Sequence, residues 1–421
     1  MLHIIIVLSG FAVYFVLKSK FMLKQFLFSI TGLVMISYSI AQKTNPNEAS
    51  TGGNSKVIKA APAQPGKNAE AFYKEGLKLK DAKKYAAAVL SFKNAIAKNP
   101  NYKEAFYNAG WCSNELFKYN DALTYLQKAK TLWPEEAKVY LELGYACQQL
   151  GKTSEAKDNY TKCLSLKEDY ALAYQYMGNQ FFSDKDYGKA LEYYENYSRY
   201  ESNITSGTIY YKMGYCQNDA EKYNDAVGSL KKAVSLKSDY TEAYNELGYA
   251  YTKLENSEDA MKNYNEALRI NPKSDIAYNG IGDVYKSVKK DIDEALKNYF
   301  KALAINPQNK KSNYLIGWCY NDKEKYNDAV PYLKKAIEID KDYVSAITEL
   351  GYCDYALQNY DDALKLFNKA MTISRTELTI YYAGLCYVGK KDRGNAMKIF
   401  NDLTGMSSSY ADKLKKKIDA L

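Results

Sequence analysis

Apolar and polar residues follow a helical pattern over residues 69–404. Apolar side chains recur at spacings of three and four residues, which places them on one stripe of a helix. Short polar turns interrupt this pattern, and Pro100, Pro134, Pro272 and Pro307 end several of the segments, since proline cannot continue a helix. The pattern therefore predicts a series of short helices joined in pairs as helical hairpins.

These hairpins repeat with a period of about 34 residues, which is typical of repeat architectures. In most units an alanine follows a glycine by twelve residues, and a large apolar or tyrosine residue comes four residues later. The glycines are Gly76, Gly110, Gly144, Gly178, Gly214, Gly248, Gly282, Gly317, Gly351 and Gly384. Small residues let two helices approach closely, and one hairpin cannot bury its apolar stripe alone, so we expect the units to stack into a solenoid.

This recurrent set of Gly, Ala, aromatic, Ala and Pro positions resembles the tetratricopeptide repeat family, in its exported bacterial type. The resemblance covers about residues 69–404. It implies an all-α fold, a right-handed superhelical solenoid of about ten tetratricopeptide helical hairpins, with a C-terminal capping helix in residues 405–421. The junction before Gly214 is two residues longer than usual, so we expect a longer loop or altered packing around residues 201–207.

Residues 1–41 have the features of an N-terminal extension followed by a signal peptide. The apolar runs Ile4 to Leu17 and Phe26 to Ile40 are both shorter than the roughly 20 residues that a membrane-spanning helix needs. Met22, a lysine, the second apolar run and a small residue at Ala41 follow the order of a signal peptide. We therefore predict Met22 as the true start and cleavage after Ala41.

Residues 42–68 contain no aromatic residue and are rich in Pro, Gly, Asn, Ser and Lys, a composition that predicts a flexible linker. Together with cleavage after Ala41, this predicts a protein that is periplasmic or secreted. The alternative is a protein that stays membrane-anchored by residues 1–40.

Composition argues against catalysis and against nucleic-acid binding. The 421 residues include a single histidine, His3, and the seven cysteines form no metal-type CxxC pair, so neither imidazole catalysis nor a metal site is expected. The net charge of +9 divides into +3 for residues 1–41, +3 for residues 42–68 and +3 for the other 353 residues. A nucleic-acid-binding domain would concentrate this charge on its folded part. We predict no enzymatic activity, no cofactor and no nucleic acid.

A longer repeat of three hairpins lies over the short one. The segments 107–115, 211–219 and 314–322 read YNAGWCSNE, YKMGYCQND and YLIGWCYND, and they are separated by 104 and 103 residues. Each carries aromatic, amide and acidic residues on one stripe of a first helix, and a further tyrosine follows one unit later. These candidate ligand-binding residues are Tyr107, Trp111, Asn114, Glu115, Tyr145, Tyr211, Tyr215, Asn218, Asp219, Tyr249, Tyr314, Trp318, Asn321, Asp322 and Tyr352.

In the tetratricopeptide repeat family the corresponding stripe faces a concave groove that binds extended peptides. The resemblance therefore implies a protein–protein interaction scaffold of the cell envelope, whose partners are extended segments or loops of other proteins. Aromatic rings would supply contact area, and Asn with Asp or Glu would supply hydrogen bonds. Three alternatives remain: residues inherited by duplication of a block, a glycan or cell-wall binding module, and an anchored cytoplasmic adaptor.

Overall fold

The structure is a computed structural model, and it describes residues 4–8, 11–15 and 68–421 of the chain. Two units are distinguished, residues 1–60 and residues 61–421. In the first unit, strand β1 (Ile4–Leu8) pairs antiparallel with strand β2 (Phe11–Phe15), with Ile4 opposite Phe15. The apolar pattern does not predict this pair, because a short apolar run fits several structures equally well. The predicted cleavage after Ala41 and the linker up to residue 67 lie outside the described residues.

The second unit consists of helices alone within residues 68–421, which confirms the predicted all-α helical-hairpin solenoid. Odd-numbered helices α1 to α19 are the first helices of ten hairpins, and even-numbered helices α2 to α20 are the second helices. Their bounds are α1 Ala69–Asp81, α2 Tyr85–Lys98, α3 Lys103–Glu115, α4 Tyr119–Leu132, α5 Ala137–Gln149, α6 Thr153–Leu166, α7 Ala171–Ser183, α8 Tyr187–Tyr200, α9 Gly207–Asp219, α10 Tyr223–Leu236, α11 Thr241–Lys253, α12 Ser257–Ile270, α13 Asp275–Val284, α14 Ile292–Ile305, α15 Lys310–Asp322, α16 Tyr326–Ile339, α17 Val344–Ala356, α18 Tyr360–Ile373, α19 Glu377–Gly389, α20 Arg393–Gly405 and α21 Tyr410–Asp419.

Each repeat glycine lies where the two helices of a hairpin cross. A Cβ atom built on Gly110 would lie 2.4 Å from Cγ of Leu126, and one on Gly282 would lie 2.4 Å from the Tyr299 ring. Leu126 and Tyr299 are both fully buried. The large residue that follows the repeat alanine therefore fills the space that the glycine leaves, so this part of the sequence pattern is a packing rule.

The last hairpin departs from this rule. A Cβ atom on Gly384 would approach Cδ2 of Leu414 to 2.6 Å and Cγ2 of Ile399 to 2.9 Å. Leu414 belongs to α21, which packs against α19 and α20 and buries Leu414 and Ile418 completely. The apolar face of the terminal hairpin is thus covered by α21.

Two irregular places in the repeat have local structural causes. The chain between α8 and α9 forms the expected longer loop at residues 201–206, and Ile204 is buried there. The unit that begins near Gly282 contains one extra residue, and Tyr285–Lys289 accommodates it as a π-helical turn that ends at Lys290 with φ of 58°. A single inserted residue is the usual origin of a π-helical turn.

The stacking of the hairpins reproduces the block of three. First helices of neighbouring hairpins contact each other at six of the nine junctions within residues 68–421. The three junctions where they stand further apart are α1 with α3, α7 with α9 and α13 with α15, which are the block boundaries. No pair of neighbouring second helices in this range comes as close as those six pairs do. The first helices therefore form the inner side of the curve.

All seven cysteines lie in the helical unit and are buried and unpaired. Burial raises the pKa of Cys112, Cys216 and Cys319 to about 12, so these thiols stay protonated at neutral pH. They pack as small apolar side chains. Among the helices of residues 68–421, none is both long enough and apolar enough to cross a bilayer.

Candidate functional site

The predicted aromatic residues all lie on first helices, on the inner side of the array. Their side chains are half-buried, or exposed in the case of Tyr249. Rings of neighbouring hairpins contact each other: the centroids of Tyr211 and Tyr240 are 4.9 Å apart, and those of Tyr314 and Tyr343 are 5.4 Å apart. The inner side therefore offers ring surface to solvent, and the same rings also pack between hairpins.

The largest of these rings stand at the block boundaries. Trp111 and Trp318 each meet a lysine from the preceding hairpin: Nζ of Lys80 lies 4.5 Å from the Trp111 ring centroid, and Nζ of Lys286 lies 4.7 Å from that of Trp318. Lys286 comes from the π-helical turn. Tyr215 instead meets the ring of Phe182 at 5.4 Å. A large ring therefore lies between the first helices at each of the three boundaries.

A pocket of about 300 Å³ brings together four predicted residues of the third block. Trp318, Asn321 and Asp322 come from α15 and Tyr352 comes from α17. Five further lining residues were not among the predicted site residues: Glu324, Thr348, Glu349, Leu378 and Tyr382. The pocket is therefore built by three successive hairpins, with an aromatic wall and three carboxylates.

The third ring of this pocket has a partial counterpart in the other blocks. Tyr382 lies 5.2 Å from Tyr352, and in the first block Tyr176 lies 5.5 Å from Tyr145, centroid to centroid. In the second block the corresponding residue is Gly280, where a Cβ atom would come within 2.2 Å of the Tyr264 ring. All three blocks thus have the first two rings, and the second block lacks the third.

The three predicted asparagines have a structural role between hairpins. Nδ2 of Asn114 donates to Oε2 of Glu142 at 2.8 Å and to the Glu142 carbonyl at 3.2 Å. The same pair of bonds joins Asn218 to Glu246, and Asn321 to Glu349. Asn114 is only 2% exposed. Of the predicted polar residues, only Glu115, Asp219 and Asp322 are exposed to solvent.

The glutamates of these pairs are partly removed from water. Burial raises the pKa of Glu142 to about 7, an effect that the Asn114 hydrogen bond and the Lys80 charge oppose and the Glu115 charge strengthens. Burial also raises the pKa of Glu246 and of Glu349. Each block therefore holds one carboxylate with an increased proton affinity beside its aromatic rings.

In the third block a thiol donates a hydrogen bond to the side-chain oxygen of the asparagine. The Cys353 thiol donates to Oδ1 of Asn321 at 2.9 Å, whereas Ala146 and Ala250 occupy this position in the other blocks. Within residues 68–421 the Oδ1 atoms of Asn114 and Asn218 are buried without a hydrogen-bond partner. The third block is therefore the most fully satisfied of the three.

This difference gives a stability prediction. Cys353→Ala should lower the free energy of unfolding by about 1–3 kcal/mol, because it leaves Asn321 Oδ1 buried without a donor. Cys353→Ser should lower it less, because the hydroxyl keeps the donor. Urea unfolding of the three proteins measures the difference, and equal losses for both variants would contradict the role given to the thiol.

A second cavity, of about 500 Å³, contains none of the predicted residues. Leu123 and Lys130 of α4, Tyr140 of α5, and Glu155 and Lys162 of α6 are among its lining residues. Its charged residues are of both signs, and second helices form most of it. The inner-side pocket is therefore the candidate site.

Comparison with known proteins agrees with this architecture. The class is a solenoid of helical hairpins, and family models described as tetratricopeptide repeat match residues 73–137, 137–170 and 321–385. A model described as TPR repeat matches residues 248–288. The chain belongs to the tetratricopeptide repeat family, whose members mediate protein–protein interactions. Comparison with curated protein sequences gives no match.

Several solved structures are similar to the chain. YrrB, described as a TPR protein with an unusual peptide-binding site, is 24% identical, with a TM-score of 0.41, over 44% of this chain and 95% of that one. PilF of Pseudomonas aeruginosa is 16% identical, with a TM-score of 0.46, over 50% and 97%. Yeast Tom70 is 15% identical, with a TM-score of 0.43, over 84% and 95%.

Proposed function

We propose that the chain is a non-enzymatic protein–protein interaction scaffold of the cell envelope that binds extended segments of other proteins along its first helices. The pocket around Trp318, Tyr352 and Tyr382 is the observation that carries this proposal. Half-buried rings give a ligand a large contact area at a small cost in conformational entropy, because the protein's packing already holds them.

A comparison of two triple variants tests the groove. The first variant combines Trp111→Ala, Tyr215→Ala and Trp318→Ala, and it therefore loses one ring at each block boundary. The control removes three apolar side chains outside the pocket, Leu90, Phe117 and Leu236, which are 47%, 76% and 47% exposed. Both variants lose apolar surface, but only the first loses inner-side rings.

We expect the first variant to recover its partners about tenfold less well than the wild type, and the control to match the wild type. The readout is recovery of envelope proteins and of purified glycans, with circular dichroism to verify that both variants fold. Equal recovery by both variants would contradict a role for the groove. Loss of glycan recovery alone would favour the glycan-binding alternative.

Export of the protein is the second part of the proposal, and it rests on the order of charged, apolar and small residues in positions 22–41. N-terminal sequencing of the mature protein should give a chain that begins at Gln42. A mature chain that begins at Met1 or Met22 would contradict export and favour a membrane-anchored adaptor.

A further inference from the structure

The inner-side pocket of the third block has three acidic side chains that form no direct ion pair among the described residues. Asp322, Glu324 and Glu349 line it, and within residues 68–421 no lysine or arginine forms an ion pair with any of them. Asp361, an exposed acid outside the pocket, is by contrast paired with Lys390. One cation, Lys286, lies at the Trp318 ring, and its charge opposes the rise in the pKa of Glu349. The pocket therefore has more carboxylates than cations.

The rings of the same pocket are suited to a positive charge. The chain's own lysines already use such rings: Lys286 lies over Trp318, and Lys80 lies over Trp111. Both lysines come from the preceding hairpin, whereas Tyr352 and Tyr382 of the pocket come from the following two hairpins. Ammonium and guanidinium groups are attracted to the faces of Trp and Tyr, and the attraction grows when water is excluded.

We propose that this pocket receives the cationic side chain of a lysine or arginine from the bound protein segment. The proposal rests on the proposed scaffold function and specifies the chemistry of its ligand. An acidic side chain would be repelled by the three carboxylates, and an apolar one would remove them from water without a partner. A cation meets both the carboxylates and the rings, so it alone compensates for the desolvation of the pocket.

The first block has the three rings of this arrangement in Trp111, Tyr145 and Tyr176. It has two of the three acids, Glu115 and Glu142, and Phe117 stands at the position of Glu324. The second block keeps the acids but has Tyr215 in place of tryptophan and Gly280 in place of the third tyrosine. Cation binding should therefore be strongest in the third block, where all three rings and all three acids are present. Substitutions in the second block, such as Tyr215→Ala, serve as an internal control for the effect of removing a ring.

Selection of ligands from a library of random linear peptides displayed on phage tests the proposal on the full chain. Peptides are selected on the wild type and then measured individually against variants. The pocket variant is Asp322→Asn with Glu324→Gln. The charge-matched control is Glu338→Gln with Asp361→Asn, two exposed acids that pair with surface lysines away from the pocket.

We expect the selected peptides to be enriched in lysine or arginine and to bind the pocket variant about tenfold more weakly. The control variant should bind them within about twofold of the wild type, because exposed ion pairs contribute little. Trp318→Phe should keep most of the affinity and Trp318→Ala should lose it, whereas Tyr215→Ala should have the smaller effect.

The outcomes separate the two proposals. Peptides that depend on Trp318 but lack basic residues, or that bind the pocket variant normally, would overturn the cationic ligand and leave the scaffold function in place. A selection that yields no peptide, or only peptides indifferent to Trp318→Ala, would overturn both.

Discussion

Gly214→Ala is expected to lower the free energy of unfolding by about 1–3 kcal/mol, the usual range for overpacking a buried site. A Cβ atom at position 214 in α9 would lie 2.4 Å from Cγ and 2.8 Å from Cδ2 of Leu230. Leu230 in α10 is fully buried, so it has no free space into which to move. The two helices of the hairpin would have to separate.

The same hairpin contains a control with the opposite expected sign. Gly228 in α10 is exposed, and a Cβ atom there would meet no atom within 4 Å. Gly228→Ala should therefore raise the free energy of unfolding by about 0.5–1 kcal/mol through helix propensity alone. Urea denaturation of both variants gives the comparison. A neutral or stabilising Gly214→Ala would contradict close helix packing as the reason for the repeat glycine.

The second prediction with a large effect is that the free energy of unfolding depends on pH through Glu142. The pKa of Glu142 is raised in the folded protein, from a reference value of 4.5 to about 7. The folded state therefore favours the protonated acid, and the stability linked to this group is fully present below about pH 4.5 and is lost as the pH rises through about 7. The loss amounts to about 3 kcal/mol at most.

Glu142→Gln removes this titration but keeps an oxygen that accepts from Asn114. The variant should be as stable as the wild type at about pH 4.5 and more stable by up to about 3 kcal/mol at about pH 8. Glu338→Gln, at an exposed acid on α16, is the matched control for the loss of one carboxylate. A constant difference between Glu142→Gln and the wild type across this range would rule out the raised pKa.

The sequence predicts the hairpins and their packing well, because these depend on contacts within one repeat. Gly110 and Leu126 lie on the two helices of one hairpin, so the helix lengths and the turn fix their separation in the sequence. A regular spacing in the sequence therefore reveals this contact. The extra residue near Gly282 is likewise visible in the sequence. Its conversion into a π-helical turn at Tyr285–Lys289 is not, because an inserted residue has several possible positions.

The site was predicted less completely, since it depends on contacts between repeats. Helical spacing places Asn114 on the same stripe as Trp111, but it does not show that the next hairpin covers the asparagine and leaves the ring half open. The prediction does not include Tyr382, because this residue lies two hairpins after Trp318, on α19. The predicted stripe covers only the first two hairpins of each block. The sequence does contain a signal for it, since Tyr176 occupies the same position in the first block.

The most direct test of the central claim is site-specific photo-cross-linking of bound partner segments. A benzophenone amino acid replaces Leu378, which lines the pocket and is 39% exposed, or Leu236, which lies on a second helix and is 47% exposed. The account predicts cross-links to partner proteins from position 378 that Trp318→Ala abolishes, and few from position 236. Equal cross-linking at both positions, or cross-links at 378 that survive Trp318→Ala, would contradict binding on the inner side of the solenoid.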